Sequence, residues 1–589
     1  MLPRKKSFFL ILISFLFFQT LKGQNSEERI IKYIAKSSSD DNLPQFEKLN
    51  RRLGIEKQVQ NTLNEVIGQG FFAASVDSIN NERKDSIFVY FFLGEKYKWL
   101  KINKSDIDEG VINKIGFREK LYNDKPFRFS DVDVLLKRLI QYYENNGFPF
   151  VTAGLKDVEI DTLNQVSANL WLEKNIEYNL DSLILKGDNK VSHKYLSNYL
   201  GLKEGSYYNE SNIKKIKKRV EDLPFLDLTE SPSVEFNKEE AKVYLFLKDR
   251  KASQFDGIVG ILPDDNNEGE FLITGDLKLK LLSSFGRGEL IDLNWRKLQT
   301  ETQDLKVNFA YPYLFGSSFG VDVKFNLYKR DSTFINLNQV LAVQYLLSGG
   351  DYFEIFINNK SSNVLTGNAF LGGIPGETNL NTQNLAGTQS LLYGIGVFKQ
   401  QLDYRFNPRK GYFVDADASV GTRRVTLRDE IETSNDIDEE GNNVQYELNF
   451  KGGVFLPLLG RATIMFQNIT GLTSAETIYQ NELSRIGGLK TLRGFDEEAF
   501  FSSMYSIFTI EARYLLERNS YAHVFFDGAY YENMSLGNNI VDRPYGFGAG
   551  FSFETRAGIF SISYALGKQF DNPIEFRTGK IHFGVVGFF

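Results

Sequence analysis

The chain has 589 residues, a formal net charge of −6 and no cysteine, which excludes disulfide cross-links, thiol catalysis and a thiol-anchored lipid. The charge is mild and no basic block suggests nucleic acid, so no nucleic-acid partner is expected. The 51 phenylalanines and 29 tyrosines are many for a water-soluble protein, and they concentrate in alternating segments.

Arg4, Lys5 and Lys6 precede the apolar run Phe8 to Phe18, and Gly23 offers a small residue at a cleavage point. Residues 1–23 therefore read as a signal peptide, and the protein as exported. The run is short for a membrane span, and no later stretch offers about 18 consecutive apolar residues.

Residues 24–250 mix helical and strand patterns that recur about every 75 residues. In 24–95, Gln60 to Gly70 spaces Leu63, Val66 and Ile67 as a helix, and Ser86 to Leu93 reads as a strand. An obvious first strand is lacking there. In 96–176, a strand at Lys98 to Ile102 precedes a helix at Val132 to Asn145, then strands at Leu155 to Ile160 and Ser167 to Leu172. In 177–250, Leu180 to Leu185 and Ala241 to Leu247 read as strands, and Lys194 to Leu200 and Ser211 to Leu223 as helices. Three small α+β modules in series fit this order better than one large domain.

From Ser253 onward the period becomes two. Asp292 to Arg296, Asp304 to Phe309 and Val321 to Leu327 each alternate apolar with polar residues. A soluble sandwich would bury the apolar face on a second layer. A membrane barrel would turn it to lipid and line a wet bore with the polar face. The connections favour the barrel over 251–589, with about sixteen antiparallel strands. Brief links such as Pro312 to Ser317, Leu347 to Gly350 and Pro457 to Gly460 alternate with long ones. The long set includes Lys360 to Thr388, Gly421 to Asn443, Gly471 to Phe501 and Glu532 to Pro544.

One long link holds GGLKTLRGFDEEAF, Gly487 to Phe500, whose charges and aromatics suit a loop folded back into a polar bore. Arg493 is then expected to fork onto an inward carboxylate, with Gly494 permitting a tight turn. Glu511 and Asp527 stand in the polar register of the following two strands.

Leu492-Arg493-Gly494-Phe495 resembles the [V/L]RG[F/Y] signature of the outer-membrane assembly superfamily, which includes BamA/TamA-type proteins and two-partner secretion transporters. Phe525 to Ala529 resembles its FxDxG strand motif, with Ala529 replacing the final glycine. Asn407 to Tyr412 resembles a periplasmic turn of these proteins, and the three modules resemble their POTRA repeats. The resemblance implies an outer-membrane barrel, closest to TamA in layout, with its amino-terminal modules in the periplasm. It also implies that the Arg493 loop enters the bore and meets Glu511 and Asp527.

The chain ends in Phe589, similar to the terminal aromatic of outer-membrane barrels, with Gly587 replacing the penultimate aromatic. The last strand must close on the first, Gln254 to Leu262. Gly257 and Gly260 in the first strand, with Gly584 and Gly587 in the last, strip side-chain packing from this seam, where Phe255 also lies. The resemblance implies that the first strand templates incoming strands by edge pairing.

The implied function is an outer-membrane assembly or translocation factor whose modules bind unfolded chains and whose seam templates client strands. The alternative is a two-partner secretion-type transporter that exports a dedicated substrate through the bore. Client proteins and outer-membrane lipids are the expected partners, with a periplasm-spanning or lipoprotein partner as a further candidate at the first module. No enzyme activity, cofactor or metal is expected. His193, His523 and His582 are the only histidines, and they are far apart in sequence. The acidic run Asp436 to Glu440 reads as a solvated loop.

Overall fold

The structure is a computed structural model. It describes residues 30–35, 46–48, 54–81, 86–104, 107–123, 125–263, 271–299, 302–331, 333–365, 385–404, 407–426, 443–458, 460–555, 558–570, 573–574 and 576–587. The signal segment, the acidic run Asp436 to Glu440 and Phe589 lie outside these residues. The chain divides into two compact units, residues 1–179 with 207–211, and 180–206 with 212–589.

The first unit carries two small sheets. β1 (Ile30–Ala35), β2 (Phe46–Lys48), β3 (Ser75–Asn80) and β4 (Ser86–Phe92) order as β2-β1-β4-β3. β1 corrects the sequence expectation that this module lacks a first strand. It runs parallel to β4 and buries Ile31 and Tyr33 on alternate positions. Helix α1 (Ile55–Gly68) turns Val59, Thr62 and Val66 inward at helical spacing. The second sheet joins β5 (Lys98–Asn103), β6 (Thr152–Ile160) and β7 (Gln165–Glu173) in the order β5-β7-β6. Helices α2 (Glu109–Lys114) and α3 (Phe129–Glu144) contribute to its core, α3 through Val132, Leu135, Leu139 and Tyr143. The short α2 was not legible in the sequence. Asp108 caps it, its carboxylate accepting from the Gly110 and Val111 amides.

The third module comprises β8 (Asn179–Lys186), α4 (His193–Leu200), α5 (Glu210–Glu221), β9 (Leu226–Leu228), β10 (Ser233–Asn237) and β11 (Glu240–Asp249). Its core continues into the barrel rim. Tyr195, Tyr199, Leu200 and Val220 share one buried cluster with Tyr313 and Leu346. The Ser192 amide donates to the Gly286 carbonyl at 2.6 Å, and the Gly349 amide to the Tyr199 carbonyl at 2.9 Å. Arg219 Nη2 donates to Ser348 Oγ at 2.9 Å. Module three and barrel are therefore fused by core packing as well as by backbone hydrogen bonds.

The large sheet begins with β12 (Gln254–Pro263), β13 (Phe271–Leu282), β14 (Leu290–Gln299), β15 (Thr302–Tyr311), β16 (Phe319–Arg330) and β17 (Phe334–Leu346). β18 (Tyr352–Val364), β19 (Gly387–Leu402), β20 (Gly411–Thr426), β21 (Asn443–Pro457) and β22 (Ala462–Ser474) follow. A separate two-stranded ribbon, β23 (Ser484–Ile486) with β24 (Phe500–Ser502), lies in the next connection. The sheet resumes with β25 (Met504–Leu515), β26 (Tyr521–Asn533), β27 (Ile540–Asp542), β28 (Tyr545–Thr555), β29 (Gly558–Lys568) and β30 (Lys580–Val586). Every ladder is antiparallel. Of its 17 strands, β27 is a short ribbon that extends β26, so sixteen form the nearly closed barrel.

The alternation is inside out relative to a soluble protein. On β18, Phe353, Ile355 and Ile357 are exposed, and on β25 so are Phe508 and Ile510, whereas Thr509 and Glu511 at the alternate positions are buried. Each such side chain left in water forgoes about 25 cal/mol per Å² of apolar surface. A continuous outward row of them requires a hydrocarbon surround.

Strands extend further into the long connections than the sequence suggested. β20 runs to Thr426, so Arg423 is a strand residue and not part of the Gly421 to Asn443 loop. Gly421 looks like a turn signal, yet it serves close strand approach, since a Cβ there would fall 1.9 Å from the Leu391 carbonyl oxygen. The long-loop rim also holds tight hairpins, for β16 and β17 are joined by residues 331–333 alone.

Candidate functional site

The connection between β22 and β25 crosses the bore as a strap tied to both sides of the wall. Its first half is fixed on β17 to β20. Asn336 Nδ2 donates to the Asn481 carbonyl at 2.7 Å, and Asn481 Nδ2 donates to Ser362 Oγ at 2.6 Å. Glu482 takes Arg423 as a fork, Nε to Oε1 at 2.8 Å and Nη2 to Oε2 at 2.5 Å. The Arg423 side chain is fully buried, so this pair neutralises a cation that could not stand alone there.

The turn that follows is built by glycine. Gly487 and Gly488 have φ of +123° and +90°, a region costly for residues with a Cβ. The Gly488 amide donates to the Leu492 carbonyl at 3.0 Å, which brings the chain back toward the wall. Leu492 is fully buried and packs with Ile486 and Phe500 of the ribbon and with Ile507, Ala529 and Tyr531 of β25 and β26. Phe495 packs against the same cluster. Ala529, where the motif departs from glycine, places its methyl group in this apolar patch.

Arg493 extends from this anchored point. Its Nε donates to Asp527 Oδ2 at 2.7 Å, Nη2 to Asp527 Oδ1 at 2.7 Å, and Nη1 to Glu511 Oε2 at 2.6 Å. Its guanidinium carbon also lies 3.5 Å from the Phe525 ring centre, a cation–π contact. Glu511 is shared, because Arg513 Nε donates to its other oxygen at 2.7 Å. Arg513 Nη1 in turn donates to Asn407 Oδ1 at 3.3 Å, so the polar chain reaches the turn at Asn407 to Tyr412. The contact between Arg513 and Asn407 was not legible in the sequence, because a register across 106 residues leaves no local trace.

Gly494 has φ of +96°, and a Cβ there would fall 2.7 Å from the Leu566 carbonyl oxygen. Its amide donates to His582 Nε2 at 3.3 Å. The strap backbone thus lies directly on β28 to β30. The inward positions there are small: Gly546, Gly548, Gly550 and Ser552 on β28, and Ser561, Ser563, Ala565 and Gly567 on β29. A Cβ on Gly546 would sit 1.9 Å from the Arg493 carbonyl oxygen. Glycine at period two in YGFGAG, Tyr545 to Gly550, was the sequence signal for this seat.

The strap also bridges the ends of the sheet. Asp496 pairs with Lys580 on β30 at 2.7 Å, and Glu498 pairs with Arg296 on β14 at 2.8 Å. Between these lies the seam. Among the described residues no ladder joins β12 to β30, although the two strands approach each other. β30 is only 7 residues long, against 16 for β19 and β20. Gly257 and Gly260 lie in β12 opposite Leu277 and Thr274 of β13, and Gly584 lies in β30 opposite Ser561 of β29. Gly587 falls just past β30, and Phe255 is exposed on the outer face.

The histidines do not converge. His193 bonds the Leu183 carbonyl in module three, His523 stacks on Phe525, and His582 meets Gly494. Among the described residues no His, Asp and Glu grouping has metal-binding geometry.

Residues 178–248, the third module, match the family model described as POTRA, surface antigen variable number repeat. No curated protein sequence matches the chain. The structure is similar to CdiB from Acinetobacter baumannii, at 13% identity over 91% of this chain and 96% of that one, with a TM-score of 0.51. CdiB from Escherichia coli gives 12% identity, 91% and 98% coverage, and a TM-score of 0.51. BamA from Haemophilus ducreyi lacking POTRA domains 1–3 gives 14% identity, 84% and 100% coverage, and a TM-score of 0.42. At these identities the CdiB likenesses establish fold. The chain thus joins a POTRA module to a barrel, the fold also seen in the two CdiB structures.

Proposed function

We propose that this chain is an outer-membrane assembly factor that inserts or translocates client proteins, with its modules on the periplasmic side. The observation that carries the proposal is the seam, where β12 and β30 lie side by side without a shared ladder among the described residues. An unpaired strand edge is a template for another strand, and backbone hydrogen bonding gives affinity with little demand on client sequence. The modules offer further edges. β3, β6 and β10 each end a sheet and are largely exposed, which suits capture of extended chains before insertion.

In this mechanism the strap fixes the wall beside the seam from within. Arg493 holds it on β25 and β26, and the Asp496 and Glu498 pairs tie it to strands on both sides of the gap. Opening the seam would then break few cross-strand bonds, while the rest of the cylinder keeps its ladders. No bond-making step is involved, and no cofactor is required.

Depletion of the protein followed by quantification of the outer-membrane proteome tests the proposal. Loss of several barrel proteins is the expected result. Loss of one secreted protein alone would identify a dedicated exporter that works through the bore, and an unchanged proteome would overturn both.

A further inference from the structure

Helix α5 reads ESNIKKIKKRVE. Ile216 and Val220 are buried in the core of module three, which leaves Lys215 and Lys218 exposed. They face a cleft of about 620 Å³ shared with the barrel rim, whose lining includes Arg219, Ser348, Lys399 and Gln400. Four cations, Lys215, Lys218, Arg219 and Lys399, meet two carboxylates there, Asp222 and Asp351. Arg219 is occupied by Ser348 and by the Leu200 carbonyl. Asp351 accepts from the Gln400 amide at 3.0 Å. With four cations against two carboxylates, the lining of the cleft is net positive.

The position of Lys399 fixes the depth of the cleft. It continues the outward row of β19, after Leu391, Tyr393, Ile395 and Val397. A lysine that ends a lipid-facing row sits where hydrocarbon gives way to headgroups. The same rim presents Phe285 and Phe315, 74% and 95% exposed, on neighbouring turns. Aromatic residues of this kind mark the membrane interface. A second cleft of about 530 Å³ shares Lys218, Gln401 and Leu402 with the first. Its further lining is mostly apolar, with Tyr412, Val454, Leu456 and Pro457. One end of this surface is cationic and hydrated, and the other end is greasy.

We propose that the α5–β19 cleft binds the phosphodiester headgroup of an anionic glycerophospholipid from the adjacent leaflet. Lys215, Lys218 and Lys399 meet the phosphate, and an acyl chain lies toward Val454 and Leu456. The site rests on the barrel spanning a membrane. Its bound lipid would hold module three at a fixed height over the bilayer, since α5 belongs to the module and β19 to the wall.

The test uses the full chain in nanodiscs of mixed phosphatidylethanolamine and phosphatidylglycerol, with lipids that remain bound on release counted by native mass spectrometry. The wild type is expected to retain phosphatidylglycerol above its bulk share. In K215Q/K218Q/K399Q, with the barrel's heat-modifiable gel shift intact, affinity is expected to fall by about fivefold for each lysine removed, which brings retained phosphatidylglycerol down to its bulk share. Unchanged enrichment in the variant overturns the site. Displacement of the lipid by inorganic phosphate, beyond that caused by sodium chloride of equal ionic strength, makes free phosphate the ligand and overturns the lipid assignment. Failure of the wild type to enter any nanodisc would remove the membrane barrel itself, whereas entry without enrichment removes only this site.

Discussion

Arg493 and Asp527 meet as a two-point fork, with both bonds at 2.7 Å. Asp527 also accepts from the Arg493 amide at 3.2 Å and from Thr509 Oγ1 at 2.9 Å. A fully buried carboxylate thus has both oxygens satisfied, and three of its four donors depend on the strap being in place.

Arg493→Ala leaves Asp527 buried without its cation, and removal of one partner of such a pair costs about 3–5 kcal/mol. Arg493→Lys should not restore the loss, because an ammonium cannot reproduce the fork. Arg493→Ala with Asp527→Ala should cost less than the two single changes summed, by about 1–3 kcal/mol. Denaturant unfolding in detergent, followed by the gel shift that separates folded from unfolded barrel, reads all three. Strict additivity would refute the coupling.

Gly546→Val places a side chain where the Arg493 carbonyl now sits, while valine itself suits a strand. The strap should lift from β28 with the barrel intact. Limited proteolysis between residues 475 and 503 checks this, with faster cleavage in the variant expected. Wild-type resistance would show that the strap does not rest on that wall.

Gly286→Val should loosen module three from the rim. Gly286 has φ of +73°, and a Cβ there would lie 2.0 Å from the Lys190 carbonyl oxygen. Strain and the lost Ser192 to Gly286 bond together are worth about 2–4 kcal/mol. Protease cleavage near residue 250 should accelerate while the gel shift of the folded barrel persists.

Amide hydrogen exchange should rank the strands. β30 shares 7 residue pairs with β29 and none with β12 among the described residues, whereas β19 and β20 share 16. The amides of β30 and β12 are expected to exchange first and those of β19 and β20 last. Uniform protection around the cylinder would contradict an open seam.

The barrel was legible because its signal is redundant, with period-two alternation repeated strand after strand and connections sorted by length. The acids facing Arg493 were legible for a related reason, since register alone assigns Glu511 and Asp527 to the inner face. What escaped were features fixed by long-range pairing. Arg423 sits in RRVT after Gly421, which looks like the start of a loop until Glu482 supplies a buried counter-charge. β1 escaped because IIKYIA is short and apolar nearly throughout, and its alternation becomes visible only beside β4. The α5 cleft escaped as well, because nothing in the sequence brings Lys399 within reach of Lys215 and Lys218.

The small inward residues of β28 and β29 leave that arc of the cylinder with almost no thickness of its own. Its inner lining is borrowed from the strap. Withdrawing the strap would therefore do more than vacate the centre. It would leave the arc next to β30 lined by little more than backbone and short side chains, so that under the proposed function a partly folded guest would meet little side-chain bulk there.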